Sequence, residues 1–243
     1  RRARRDHTCS DDRQHELSDA CPGCGLRVLP GPGPRGDDVT PSSKALAAML
    51  AVVLPALLLS GIGPYDRLTW WLEVAPVLIA VPLLLATFRR FPLTPLLYGL
   101  IALHALILMY GGHYTYARTP LGFWIQDLFD LSRNHYDRIG HVAQGFVPAI
   151  AAREVLLRNS PLGPRGWLPF LVVCVCLAIS ATYEFVEWWT ALLAGGAAED
   201  FLATQGDVWD TQWDMFLATC GAIAALAVLS PLHDRQLARL RQP

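Results

Sequence analysis

From residue 45 onward, long uncharged apolar runs alternate with short polar connections. A helix needs about 20 mostly apolar residues to cross the hydrocarbon core of a bilayer. Ala45 to Gly63 carries no charge, and Leu68 to Phe88 carries only Glu73, close to one end. Phe91 to Gly112 is uncharged and holds His104; Met215 to Leu232 is uncharged. Gly166 to Tyr183 is uncharged and continues through Glu184 and Glu187 to Ala198. Tyr136 to Leu157 is a sixth candidate with a short uncharged centre, flanked by Asp137 and Arg138 on one side and Arg153 and Glu154 on the other. Without it, His113 to Arg165 would be one very long, largely apolar loop. The pattern predicts an all-α membrane protein, a polytopic bundle of about six transmembrane helices over residues 44–243. Pro55, Pro76 and Pro82 fall inside spans, which membrane helices tolerate. There is no internal repeat, so an inverted-repeat transporter gains no support.

Composition agrees. Hydrophobic residues make up 53% of the 243 and charged residues 17%, with a net charge of −1, whereas soluble domains carry about a quarter charged residues. A disordered chain, a small disulfide-stapled protein and a nucleic-acid binder are disfavoured together.

The near-neutral total hides a division. With the N-terminus inside, the cytoplasmic segments collect 16 of the 20 Lys and Arg, and the outer segments only Arg67, Arg118, Arg133 and Arg138. The positive-inside rule then places both termini in the cytoplasm. Nine acids share the inner side, giving +7, and twelve lie on the outer side, giving −8. Trp70, Trp71, Trp124, Trp188, Trp189, Trp209 and Trp213 fall near the outer boundary, as an aromatic belt would. The first apolar run is long enough to span, so it reads as a retained helix and not as a cleaved signal.

Residues 1–43 form a polar tail with a Gly/Pro linker. Cys21-Pro22-Gly23-Cys24-Gly25 has the form of a zinc knuckle, to which Cys9 and either His7 or His15 would add ligands. A second Cys-x-x-Cys is missing, and an unstructured tail with incidental cysteines is the competing reading. Cys174, Cys176 and Cys220 lie in spans and read as small core residues.

Ionisable groups in or near spans are costly and usually face the bundle interior. Three sets have helical spacing: Asp137, His141 and Gln144; Glu184 and Glu187, with Tyr183 one turn behind; and Asp207, Asp210 and Asp214, with Gln205 and Gln212 beside them. The expected topology brings all three to a similar depth on the outer side. So many carboxylates around one imidazole need raised pKa values or a neutralising cation. Asp207, Asp210, Asp214, Glu187 and His141 form a candidate set for a divalent ion such as Mg²⁺, Mn²⁺, Fe²⁺ or Zn²⁺. The local basic partners are Arg138, Arg133 and Arg118. Each set also has a plain structural reading: a solvated helix start for Asp207 to Asp214, a polar interhelical contact for Glu184, and a backbone hydrogen bond for His141. His113 and Tyr116, in Gly111-Gly112-His113-Tyr114-Thr115-Tyr116, open the longest outer loop beside the same site. His104, alone in mid-span, reads as an interhelical hydrogen bond.

Tyr136-Asp137-Arg138-Ile139-Gly140-His141, Gly112-His113-Tyr114-Thr115-Tyr116, Tyr183-Glu184-Phe185-Val186-Glu187-Trp188 and Gln205-Gly206-Asp207-Val208-Trp209-Asp210-Thr211-Gln212-Trp213-Asp214-Met215 resemble the motifs of the YjdF-like family of bacterial inner-membrane proteins. The resemblance implies a polytopic inner-membrane protein and assigns no catalytic residues. The motif order also resembles that of VanZ-like membrane proteins, which are tied to glycopeptide resistance. There an Asp-Lys-x-x-His begins one helix, a Glu lies in the next and an Asp-x-x-Asp opens the last; here Arg138 replaces the Lys.

Three functional readings follow. The outer site acts on a lipid-linked or envelope substrate, with a carboxylate or metal-bound water as base and His141, Glu184, Glu187 and Asp210 as the chemical groups. Alternatively, the chain is a carrier or ion pathway, which predicts ionisable groups continuing to the cytoplasmic side. The third reading is a membrane scaffold with a zinc-binding tail.

Overall fold

The computed structural model describes residues 40–240, so the candidate tail ligands Cys9, Cys21 and Cys24 lie outside the described residues. Every regular element among the described residues is helical: α1 (Pro41–Ser60), α2 (Arg67–Thr87), α3 (Pro95–Tyr114), a 3₁₀ turn (Tyr116–Arg118), α4 (Pro120–Phe129), α5 (Tyr136–Asn159), α6 (Trp167–Ala194), a second 3₁₀ turn (Gly195–Ala198), α7 (Glu199–Leu202) and α8 (Asp210–Leu240). The helix starts follow from local chemistry. Thr40, Asp66 and Thr94 cap α1, α2 and α3 by accepting hydrogen bonds from the backbone N–H three residues on. Pro41, Pro95 and Pro120 occupy first-turn positions, where a missing N–H costs nothing. The first helix therefore begins at Pro41, slightly before the tail boundary expected at residue 43.

Helices α1, α2, α3, α6 and α8 are long and apolar enough to cross a membrane. Their outward faces carry Leu58, Ile79, Val228 and Leu193, the last 89% exposed, an apolar exterior that suits lipid. The sixth expected span is α5. Its 24 residues reach about 36 Å, but with Asp137, Arg138, Arg153, Glu154 and Arg158 in its sequence it is not among the helices apolar enough to cross by composition alone. Burial accounts for this: α5 packs against α3, α6 and α8, and a helix shielded by neighbours has no need of an apolar face all round.

The most extensive contact joins α5 and α8, which both start at the end holding His141 and run the same way. Small residues let their backbones touch. A Cβ on Gly145 would lie 1.7 Å from the Ala218 carbonyl oxygen, and one on Gly221 would lie 2.2 Å from that of Val142. Such close approach is how membrane helices gain packing energy. The apolar core above and below this crossing includes Ile150, Val172, Cys176, Leu97 and Met109. Cys176 is thus a core residue, while Cys174 is exposed on the lipid-facing side of α6.

Between α3 and α5 the apolar sequence expected to be loop holds α4, whose exposed Phe123, Trp124, Leu128 and Phe129 form a greasy edge.

Candidate functional site

Four helices deliver the site. Asp137 and His141 come from the first turns of α5, Glu184 and Glu187 from the last turns of α6, Asp210 and Asp214 from the start of α8, and Glu73 from α2. All seven are buried. The helical spacing read from sequence does bring the three sets together: His141 is the common member of two groups, Asp137–His141–Asp214 and His141–Glu184–Glu187, whose ligand atoms lie within 4.8 Å of one another.

The geometry around His141 is specific. Its Nδ1 lies 3.0 Å from the Gln144 side-chain oxygen, which accepts, so Nδ1 carries hydrogen. In the neutral ring, Nε2 then points a lone pair at the Asp137 and Asp214 oxygens, 3.4 Å and 3.6 Å away. Those distances exceed a good N–H···O hydrogen bond. They match the separation of two ligands on a tetrahedral ion, about 3.4 Å for bonds of about 2.1 Å. Asp137 Oδ2, Asp214 Oδ1 and Glu184 Oε1 are buried without any hydrogen-bond partner, a costly state that a cation or proton would relieve.

Asp210 and Asp207, expected as ligands, face arginines instead. Arg133 donates to Asp210 at 2.7 Å and to the Thr204 carbonyl; Arg138 pairs with Asp207 at 3.0 Å and lies over the Trp213 ring. Asp137 and Asp214 instead have His141 as their ion-pair partner; Glu184 and Glu187 lie behind them. Outside the spans, Asp207 is held below the ordinary aspartate range, first by the Trp209 backbone N–H at 3.0 Å and then by Arg133 and Arg138.

Three of the carboxylates, Glu73, Asp137 and Glu187, border a cavity of about 260 Å³ whose lining also includes His104, Tyr116, His141, Gln144 and Tyr183. Tyr116 is seated by space. A Cβ on Gly111 would meet its ring at 2.3 Å, and one on Gly140 at 2.8 Å. Thr115, with φ 59°, turns the chain so that the ring points inward; a β-branched residue there is strained by about 1–3 kcal/mol. Tyr183 donates to Glu73 at 3.2 Å. Glu73 was passed over in the sequence as a span-end charge; as the one ionisable residue between Arg67 and Arg89, it was the available signal.

Three expected members lie elsewhere. His113 Nδ1 is 2.9 Å from the Ser60 carbonyl, in a separate depression between α1 and α3. Gln205 exchanges hydrogen bonds with the backbone of Asn134 and so ties two loops together. Gln212 is exposed. His104 also departs from expectation: its Nε2 is buried with no hydrogen-bond partner, so it makes no interhelical bond through that atom.

A second buried charged group lies at the other end of α5. Glu154, fully buried, accepts from Thr94 Oγ1 at 2.8 Å, Arg158 at 2.9 Å and His233 Nε2 at 3.0 Å. Arg153 donates to His233 Nδ1 at 2.9 Å and to Asp234 at 2.7 Å. Every member is satisfied, so this group works as a clasp of α3, α5 and α8 and not as an open site. The sequence reading ended the last span at Leu232 and so missed His233.

The family model for a predicted membrane protein, DUF2238, matches residues 45–235. The chain belongs to this family. It is also similar to the inner membrane protein YjdF of Escherichia coli (strain K12), at 58% identity over 183 residues, covering 75% of this chain and 88% of that one. No solved structure matches it. With its apolar helices, this makes the chain a multi-pass integral protein of the inner membrane.

Proposed function

We propose that the His141 end of the bundle is a divalent-cation site on the outer side of the inner membrane and that it acts on a phosphate-bearing, lipid-linked envelope precursor. The observation that carries this reading is the Asp137–His141–Asp214 group: ligand spacing suited to an ion, one imidazole lone pair, and buried carboxylate oxygens with no other partner. Gln144, accepting from Nδ1, is the outer partner that metal-bound histidines commonly have. A bound cation would polarise a phosphoryl oxygen and acidify water. Glu187 and Glu184, on the facing helix, are the groups placed to accept the proton. The sixteen-to-four split of Lys and Arg supports the outward orientation, and the resemblance of the acid order to VanZ-like proteins supports an envelope substrate.

A carrier is less well supported. Between the two buried charged groups the next chamber, of about 180 Å³, is lined by Val53, Val77, Ile101, Ala105, Val147 and other apolar residues, with His104 as its one ionisable group. A proton or ion path would be interrupted there.

The test is equilibrium dialysis of the purified full chain against Mn²⁺ and Zn²⁺. About one ion per chain is expected, lost in Asp214→Asn and His141→Ala and kept in His113→Ala. Binding that is absent in the wild type, or indifferent to both site substitutions, overturns the reading.

A further inference from the structure

The cavity has walls from α2, α3, α5 and α6, but these walls do not all close on each other. α2 packs against α3, and α6 packs against α5 and α8; α2 and α6 share no substantial contact. A side-chain hydrogen bond from Tyr183 to Glu73 crosses that gap. At the His141 end the gap is bridged by α7, which touches both helices and sets buried Phe201 against the Tyr183 ring at 6.1 Å. Tyr116, buried between α3 and α5, covers the same end. The site is therefore roofed toward the head-group side and unsealed toward the hydrocarbon.

The unsealed side is apolar. Below Glu73, α2 presents Pro76 to the cavity and has no further ionisable residue. On α6 the cavity continues, through Ile179 and Tyr183, into a shallow groove formed by Val175, Ala178, Ile179, Thr182, Tyr183 and Val186. Ile179 remains 41% exposed there, although it lines the cavity. Water entering by this route would cross lipid, whereas a hydrocarbon chain lying along the groove keeps apolar contact throughout and leaves its polar end beside Glu73 and His141.

We infer that the cavity is entered sideways from the bilayer, through the gap between α2 and α6, by a lipid whose hydrocarbon chain lies in the α6 groove while its head group reaches the His141 carboxylate cluster. The Tyr183–Glu73 hydrogen bond is the latch of this opening. The head-group part rests on the cation-site reading above; the lateral route does not.

The experiment uses the full chain in phosphatidylcholine nanodiscs doped with a phosphatidic acid that carries a diazirine in one acyl chain, with labelled peptides mapped after illumination. Label is expected to concentrate on residues 73–80 and 175–186, above the general lipid-facing background at Leu58 and Leu193. Ile179→Trp fills the opening and should abolish that excess without changing the background. Tyr183→Phe, nearly isosteric and so safe for folding, removes the latch and should raise it. Label spread evenly over all lipid-facing helices, or an excess indifferent to both substitutions, refutes the portal even if the chain binds its cation. An excess that responds to both substitutions but survives chelation of the cation upholds the portal and counts against the head group being held by the cation.

Discussion

Gly145→Ala adds one methyl group at the point where α5 and α8 touch. Its Cβ would start 1.7 Å from the Ala218 carbonyl oxygen, a distance real Cβ contacts do not approach before about 3.0 Å. The obstacle is backbone and cannot rotate away, so the helices must part by more than an ångström. Overpacking of this kind costs about 1–3 kcal/mol, and a backbone obstacle places it near the top of that range. For a chain of this size, about 3 kcal/mol lowers the melting temperature by roughly 6–12 °C. The same parting pulls Asp214 on α8 away from His141 on α5, now 3.6 Å apart, whereas ion sites tolerate distance errors of only about 0.2 Å. Thermal unfolding in detergent and Mn²⁺ dialysis should therefore fail together. Gly99→Ala is the control. It sits inside α3 with nothing within 4 Å of a new Cβ, and should be neutral or gain about 0.5–1 kcal/mol from helix propensity. A Gly145→Ala protein with wild-type melting and wild-type cation uptake would show that the two helices do not cross there as described.

At the opposite end, Glu154→Ala strands His233, Thr94 and Arg158 without their shared acceptor. Losing one partner of a buried ion pair costs about 3–5 kcal/mol, read as a lowered melting temperature, with cation uptake retained by the folded fraction. His104→Leu removes a buried imidazole nitrogen that lacks a partner and should be stabilising by about 1 kcal/mol; a loss of stability would reveal an unseen partner. The loop carrying Asp207 should have a definite acid response. Its carboxyl is held below the usual value of 3.8 in the folded chain, so its contribution is fully present above pH 3.8 and fades as pH falls toward the lower folded value. Limited proteolysis of residues 203–209 should thus be unchanged from pH 7 to pH 5, and Asp207→Asn should remove the acid-dependent part. Cleavage that rises already between pH 7 and pH 5 in the wild type would contradict this.

The spans were legible because a bilayer demands an apolar exterior, and five of them stand out by hydropathy alone. Helix α5 was legible only by elimination: its buried faces free it from that demand, and its charges point at other helices. The three acid sets were readable because helical spacing fixes which residues share a face; that they meet at His141 followed from helix order. Pairing was beyond the sequence. Whether Asp210 faced a metal or Arg133 depended on a loop whose path is set by contacts such as Gln205 with Asn134. Glu73 and His233 were missed for a related reason, since a charge at a span end looks solvated until a neighbouring helix covers it. The gap between α2 and α6 leaves no mark in either helix, because lipid-facing and cavity-facing apolar residues are the same residue types.

The most direct test is anomalous scattering from crystals of the full chain grown with Mn²⁺. One peak should lie among His141 Nε2 and carboxylate oxygens of Asp137 and Asp214, at bond lengths of about 2.1–2.2 Å, and it should vanish in His141→Ala. A protein with no anomalous peak there, its imidazole bonded directly to one of the two carboxylates, would contradict the cation site.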